Sequence, residues 1–284
     1  MPTRDEINKD MRAFWDGPGG QIWVDRQAHT DVTLQPVTDA LLAFAAPQPG
    51  ERVLDVGCGC GGPTLELARA VGPTGSVSAL DISGPMIGEA IRRARAAGLR
   101  NIDWRQANPG TAVLEPYDLL ASAFGTMFFG DRVAAFTAMR RAADPKARLA
   151  MSCWRALAEN PWMEVPMKAV APHLPPRPAP APNAPGMFAF ADPDHVTEVL
   201  TAAGWTAPQF EKLDVDLDIA AGRGLDEAVA QSTQIGAVSS WLRNQPAEIV
   251  SAALASVREA LTPFAEGQNV RLRGAVWLIG ATAA

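Results

Sequence analysis

Between residues 52 and 153, short apolar segments alternate with longer segments whose apolar residues recur at helical spacing. This alternation constrains the fold more than any other feature of the chain. Residues 52–56, 76–80, 102–106, 117–121 and 149–153 read as strands, and 63–71, 85–97 and 133–143 read as the helices between them. In the second helix Met86, Ile87, Ala90 and Ile91 fall on one face. Repeated strand–helix units demand crossover connections, so the predicted fold is an open, doubly wound α/β sheet. It is mostly parallel and covered by helices on both faces.

The flanks are less regular. Helices are expected over 3–15 and 21–28, separated by the breaker run Asp16-Gly17-Pro18-Gly19-Gly20. A third, capped by Thr30 or Asp31, should carry Val32, Leu34, Val37, Leu41, Leu42 and Phe44. After 153, seven prolines crowd 172–185 and favour extended, polyproline-like backbone, either a stiff connector or one wall of a lid. A helix from Asp192-Pro193 to Gly204, a strand over 205–215, helices near 225–236 and 246–264 and a last strand over 270–281 complete the pattern. The division this predicts is an N-terminal helical lid segment (1–46), a core (47–154), a lid insertion that contributes parts of the core (155–245) and a C-terminal helix and strand (246–284).

The chain has 284 residues, enough for one α/β core with an added cap. Its net charge is −6, which disfavours a non-specific nucleic-acid surface, and no apolar run is long enough to span a membrane. The N-terminus has no apolar signal segment. Cys58, Cys60 and Cys153 are odd in number and unpaired in spacing, as in a reducing, cytoplasmic setting. A lone C-x-C is too little for zinc, so no metal is expected.

The chemistry concentrates in Val53-Leu54-Asp55-Val56-Gly57-Cys58-Gly59-Cys60-Gly61-Gly62. This run leaves a strand and opens a helix. Gly57 permits a tight turn, Gly59 close approach of backbone to a ligand, and Gly61 or Gly62 close helix–strand packing. Asp81 ends the next strand, where a carboxylate can accept hydrogen bonds from ribose hydroxyls. Gly57, Gly59 and Gly62 also satisfy G-x-G-x-x-G, so a dinucleotide is the rival ligand. Asp55 argues against it: a carboxylate beside the loop repels a pyrophosphate and attracts a cation. The only tyrosine, Tyr117, is followed by Ala121 four residues on, which removes the Tyr-x-x-x-Lys dehydrogenases.

The pattern V-L-D-V-G-C-G-x-G-G followed by L-D-I-S-x-x-M (Leu80 to Met86) resembles class I S-adenosylmethionine (SAM)-dependent methyltransferases. Tyr117-Asp118-Leu119-Leu120, Ser122-Ala123-Phe124-Gly125-Thr126-Met127-Phe128-Phe129 and Arg148-Leu149-Ala150-Met151-Ser152-Cys153-Trp154 are similar to the ubiquinone/menaquinone-type small-molecule subfamily. The resemblance implies a Rossmann-like sheet of seven strands, the last antiparallel, with SAM as cofactor and S-adenosylhomocysteine as product. It implies that Asp55, Gly57, Cys58, Gly59 and Gly61 hold the methionine part. Asp81 would bind the ribose, Ile82 and Met86 would sandwich the adenine, and Ala107 and Asn108 would meet its edge. Ser122 would lie near the methyl, with Trp23 joining from the N-terminal segment. Three departures stand out. Asn108 replaces the usual Asp, Ala123 replaces an Arg, and Ala142-Ala143-Asp144-Pro145-Lys146-Ala147-Arg148 replaces a Pro-Gly turn.

SAM carries its own electrophile, so a dedicated base is needed only for a weakly nucleophilic acceptor. His29 is the candidate base, against the plainer reading of a structural histidine. His173 and His195 are expected to face solvent. Trp15, Phe128, Trp154, Trp162 and Phe188 are the candidate acceptor contacts, within a wider aromatic and methionine set that fits an apolar or aromatic small molecule. The reaction expected is C- or O-methylation. The alternatives are a SAM-retaining cyclisation or rearrangement, and a non-catalytic binding subunit. A homodimer is compatible with the sequence.

Overall fold

The computed structural model describes residues 12–176, 181 and 183–283. The strands are β1 (Arg52–Val56), β2 (Ser76–Asp81), β3 (Ile102–Gln106), β4 (Tyr117–Ala123), β5 (Ala143–Trp154), β6 (Thr206–Asp218), β7 (Ala265–Glu266) and β8 (Asn269–Thr282). Seven of them form one sheet in the order β3–β2–β1–β4–β5–β8–β6, and β7 pairs only with β8. β8 runs antiparallel to β5, β6 and β7, and the other pairings are parallel. The expected architecture is therefore the observed one: a Rossmann-like, mostly parallel seven-stranded sheet whose last strand is antiparallel. Strand order reverses between β1 and β4, which opens a crevice at their C-terminal ends.

Helices α1 (Pro18–Asp25), α2 (Gln27–Ala45), α3 (Gly62–Val71) and α4 (Gly84–Ala96) precede β3. Leu41 and Ala45 of α2, with Leu67, Ala68 and Val71 of α3, pack on Val53, Val77, Ala79 and Leu119. Helices α5 (Arg132–Ala142) and α7 (Pro193–Ala202) cover the other face. There Phe136, Met139, Val196 and Leu200 meet Val56, Leu120, Leu149 and Met151, all fully or nearly fully buried. Each such side chain contributes about 1.5–3 kcal/mol of apolar burial. Helices α6 (Pro161–Val170), α8 (Leu225–Gln234), α9 (Gly236–Leu242) and α10 (Ala247–Leu261) pack on one another: α6 and α8 against α10, α8 against α9.

Several local readings need correction. Gly19 and Gly20 lie inside α1 instead of breaking it. A Cβ on Gly20 would meet the Trp15 carbonyl oxygen at 2.2 Å and Ser83 Oγ at 2.3 Å, so glycine there permits close packing. Helix α2 starts at Gln27, after a one-residue break at Arg26, so Thr30 and Asp31 are helical and do not cap it. Residues 143–148 are strand, not turn, and the pairing with β4 shifts register between Tyr117 and Leu119. Helix α6, opened by Pro161, was hidden by its internal Pro166. The expected first helix lies outside the described residues except for 12–15, which are helical, as does most of the proline run, 177–180 and 182.

Between β3 and β4 the chain crosses in ten residues, 107–116, without a helix. That crossing leaves a groove of about 420 Å³ beside Arg52, Leu54, Ser76, Ser78, Asn101 and Tyr117, at the N-terminal ends of the strands. It lies opposite the crevice, the edge at which ligands of such sheets bind. Among the described residues no helix is long and apolar enough to cross a membrane.

Candidate functional site

The glycine run turns as its composition demands. Gly57, Gly59 and Gly61 adopt φ of 73°, 52° and 83°, a region costly for residues with a Cβ. Gly57 and Cys58 donate backbone N–H groups to the Leu80 carbonyl at 2.8 and 3.1 Å, which ties the loop to the end of β2. A Cβ on Gly61 would touch Ala90 and Trp104 at 3.0 Å, so this glycine sets how closely the loop packs on α4 and β3. Gly62 faces Asp31, which pairs with Arg93, and Arg93 also donates to the Cys60 carbonyl at 2.6 Å.

A contact that sequence reasoning missed joins this loop to the one after β4. A Cβ on Gly57 would lie 2.6 Å from Gly125 Cα. One on Gly125 would lie 2.6 Å from the Val56 carbonyl oxygen and 2.7 Å from Gly57 Cα. Two glycines let the backbones touch at the switch point. The only signal was Gly125 itself, within a motif quoted for its resemblance. Phe124 beside it holds φ of 62°, with its ring stacked on Trp154 at 4.4 Å and 12°. The strain of a non-glycine residue there is offset by aromatic packing.

Two buried carboxylates flank the loop. Asp81 is 8% exposed and accepts from Gly59 N at 2.8 Å and Ser83 N at 2.9 Å. Burial pushes its pKa up, against those backbone hydrogen bonds. Asp55 is deeper, accepts from the Thr64 hydroxyl at 2.5 Å, and is pushed up to about 7 by burial. The Asp81 charge adds to the same effect. A cation bound between them would relieve both, and a second anion would not. Burial also raises both loop thiols, Cys58 well above its ordinary value and Cys60 to about 12, so neither is a ready nucleophile.

The other predicted cofactor residues are distributed as follows. Met86 is buried in the first turn of α4, which Ser83 caps. Ile82 offers its carbonyl to Gln106 Nε2 at 3.1 Å. Ala107 donates its N–H to the Asp81 carbonyl at 2.8 Å. Asn108 is exposed, and its Oδ1 accepts from Gly110 N at 2.9 Å, a local turn. Ser122 is fully buried and donates to the Val56 carbonyl at 2.7 Å, joining β4 to β1.

The N-terminal segment closes over this rim. Asp16 Oδ1 accepts from Gly84 N at 2.8 Å, at the start of α4, and from Gln106 Nε2 at 2.7 Å, at the end of β3. Trp15 then reaches Trp23 (6.2 Å between ring centroids) and Phe128 (5.4 Å). A second aromatic group joins Trp154 to Phe124 and to Trp162 at 4.8 Å. Asn160 braces it by accepting from Ala275 N at 2.8 Å and Trp162 Nε1 at 3.1 Å. Phe188 is half-buried in the segment before α7. Met127 and Phe190 are core residues.

His29 is 2% exposed on α2. Its Nε2 faces the Ile219 carbonyl at 3.0 Å and its Nδ1 faces Glu227 at 3.2 Å. Burial and the neighbouring Arg26 lower its pKa. Nε2 therefore ties α2 to the segment after β6, while Nδ1, which has no hydrogen-bond partner among the described residues, is shielded from solvent and faces Glu227 of α8. His173 and His195 are not simply solvent-facing. His173 Nε2 lies 2.8 Å from Ser256 Oγ, and both side chains are partly buried.

Residues 53–146 match the family described as "Methyltransferase domain". The aklanonic acid methyltransferase of Streptomyces sp. (strain C5) is 34% identical over 119 residues, 41% of this chain and 54% of that protein. The nocamycin O-methyltransferase of Saccharothrix syringae is 29% identical over 120 residues, 42% and 43% of the two chains. The chain thus spans about half or less of these curated relatives' length. Among solved structures, the YcgJ protein of Bacillus subtilis aligns with a TM-score of 0.58 at 14% identity, over 87% of this chain and 98% of that one. A Haemonchus contortus phosphoethanolamine N-methyltransferase, solved with S-adenosylhomocysteine, aligns with a TM-score of 0.57 at 15% identity, over 99% and 60%. At these identities the structural matches speak to the fold.

Proposed function

We propose, for a chain whose core is a class I, SAM-dependent methyltransferase domain, that it transfers a methyl group from SAM to carbon or oxygen of a small, apolar or aromatic acceptor. The observation that carries this reading is the pair of buried carboxylates, Asp55 and Asp81, on a three-glycine turn at the switch point. SAM is cationic at its sulfonium and ammonium, and its ribose offers two hydroxyl donors. The open backbone at Gly59, where an added Cβ would meet only Met86 Sδ at 3.9 Å, leaves room for its chain. The residues present fit that group, and they disfavour a pyrophosphate.

Bound SAM supplies an electrophilic methyl on sulfur. The protein's part is to orient and to exclude water. Asp81 would accept from the ribose with the lone pairs that Gly59 and Ser83 leave. Asp55 would attract the cationic end. Trp15, Trp23 and Phe128 cover the cofactor side, and Phe124, Trp154, Trp162 and Phe188 cover the acceptor side. The lid consists of the N-terminal helices and α6, α8, α9 and α10. We assign His29 to anchoring this lid, since a general base needs a ring nitrogen free to face the acceptor. The acceptor is a small molecule in this reading, in keeping with the net charge of −6, and the three free cysteines suit a cytoplasmic setting. Calorimetric titration with SAM, S-adenosylhomocysteine and NAD tests the reading. Saturable binding of the first two, lost in Asp81→Ala, is expected. Binding of NAD alone would overturn it.

A further inference from the structure

We propose that Arg132 and His195 form a recognition site for a carboxylate on the methyl acceptor. The inference rests on the methyltransferase reading only in calling that ligand an acceptor. Arg132 opens α5 and His195 lies in the first turn of α7. α5 follows β4, α7 precedes β6, and the two helices pack together, so both first turns lie at the crevice edge of the sheet. Both side chains lie against the Phe190 ring. The guanidinium carbon is 5.4 Å from its ring centre, and the imidazole centroid is 6.2 Å from it.

Arg132 Nε and Nη2, and His195 Nε2, are shielded from solvent and have no hydrogen-bond partner among the described residues. Nε and Nη2 make up one edge of a guanidinium, the fork that takes both oxygens of a carboxylate. Two arginines among the described residues use that edge in this way. Arg52 gives it to Asp118 at 3.0 and 2.6 Å, and Arg92 gives it to Glu89 at 2.8 and 2.6 Å. Arg132 carries the same fork with no acid bonded to it. The nearby carboxylates are directed elsewhere. Asp131 accepts from Ala134 N at 3.0 Å, Asp192 accepts from Asp194 N at 3.0 Å, and Glu198 stands 4.0 Å from the far nitrogen of His195.

A guanidinium stays charged, so burying its fork without an anion costs stability. Burial indeed lowers the pKa of Arg132, and among the described residues no acidic neighbour counters it. A ligand carboxylate would supply both acceptors and the countercharge. The imidazole, its own pKa lowered by burial and by Arg132, can donate a further hydrogen bond as a neutral ring. The positive ends of α5 and α7 act in the same sense.

The test uses the whole chain, titrated with 1-naphthoate and with its neutral analogue 1-naphthamide. Affinity for S-adenosylhomocysteine and Tm are measured alongside on wild type, Arg132→Met and Arg132→Lys. Wild type is expected to prefer the acid about ten-fold or more, the scale of hydrogen bonds to a charged group. Arg132→Met should erase the preference, and Arg132→Lys, a charge without a fork, should keep only a small part. Tm of Arg132→Met should equal or exceed that of wild type, because it removes an unpaired buried cation. Naphthoate that does not bind, a preference under about two-fold, one that survives in Arg132→Met, or a Tm several degrees lower in that variant would each overturn the site. Failure of wild type to bind S-adenosylhomocysteine, with the acid preference intact, would instead remove the methyltransferase reading and leave the carboxylate site standing.

Discussion

The glycine crossing at the switch point makes a sharp prediction for Gly125→Ala. Gly125 has φ of −74° and ψ of −34°, values that alanine adopts freely, so the substitution carries no backbone penalty and acts through contact alone. The new Cβ would lie 2.6 Å from the Val56 carbonyl oxygen, whereas ordinary contact begins at 3.4 Å, so the backbones must separate by 3.4 − 2.6 = 0.8 Å. Overpacking of this kind costs about 1–3 kcal/mol. For a chain of this size that lowers Tm by about 2–12 °C. The loop that moves carries Gly57 and Gly59, so SAM affinity should fall about 10- to 100-fold. Gly57→Ala should be worse, since it meets Gly125 Cα at 2.6 Å and must also hold φ of 73°. Gly88→Ala is the control. It stands exposed in α4 with nothing within 4 Å of its added methyl, and it should raise stability by about 0.5–1 kcal/mol. Differential scanning fluorimetry and calorimetry on the three variants read both quantities. Wild-type Tm and SAM affinity in Gly125→Ala would refute the reasoning.

Three further outcomes are expected. Asp55, with a folded pKa raised to about 7 from an unfolded value near 3.8, binds more protons in the native state. Its contribution to apo stability therefore falls as pH rises from about 4 to 7. SAM binding should favour the ionised form and release a proton, so affinity should climb with pH up to about 7; calorimetry in buffers of different ionisation enthalpy measures this, and equal proton release in Asp55→Asn would refute it. Asp81→Asn leaves one amide nitrogen facing a backbone N–H of Gly59 or Ser83, and should cost about 1.5–3 kcal/mol of SAM affinity by titration. His29→Ala strands the Ile219 carbonyl, so Tm should drop in keeping with about 1–3 kcal/mol while kcat, once an acceptor is known, changes little. A kcat loss above about a hundred-fold at unchanged Tm would restore His29 as a base.

The sheet and its glycine turn were legible in the sequence because they rest on local, periodic signals. Strands β1, β2 and β4 are short, largely apolar runs, and Asp55, Gly57, Gly59 and Asp81 stand at spacings set by one strand–turn–helix–strand unit. What was hidden depends on residues distant in sequence. Asp16 meets Gly84 and Gln106 across 68 and 90 positions, and Gly57 meets Gly125 across the switch point. Gly19 and Gly20 read as breakers because glycine's cost in a helix is local, whereas the packing on Trp15 and Ser83 that overrides it is not. His195 read as solvent-facing from its place in a capped first turn, whereas its ring lies beside Phe190, which precedes the helix. Helix α6 was missed because Pro166 is an interior breaker that tertiary packing of Met163 and Val170 overrides.

The clasp of Asp16 on Gly84 and Gln106 has a kinetic consequence. A strap held by two hydrogen bonds and the Trp15–Phe128 contact lies over the rim through which, in the proposed function, a spent cofactor would leave. Under that proposal product escape would wait on the strap lifting, a motion damped by solvent friction. Steady-state turnover should slow in proportion to added viscogen, whichever acceptor is methylated. Cutting the clasp with Asp16→Ala should trade tighter retention for faster cycling.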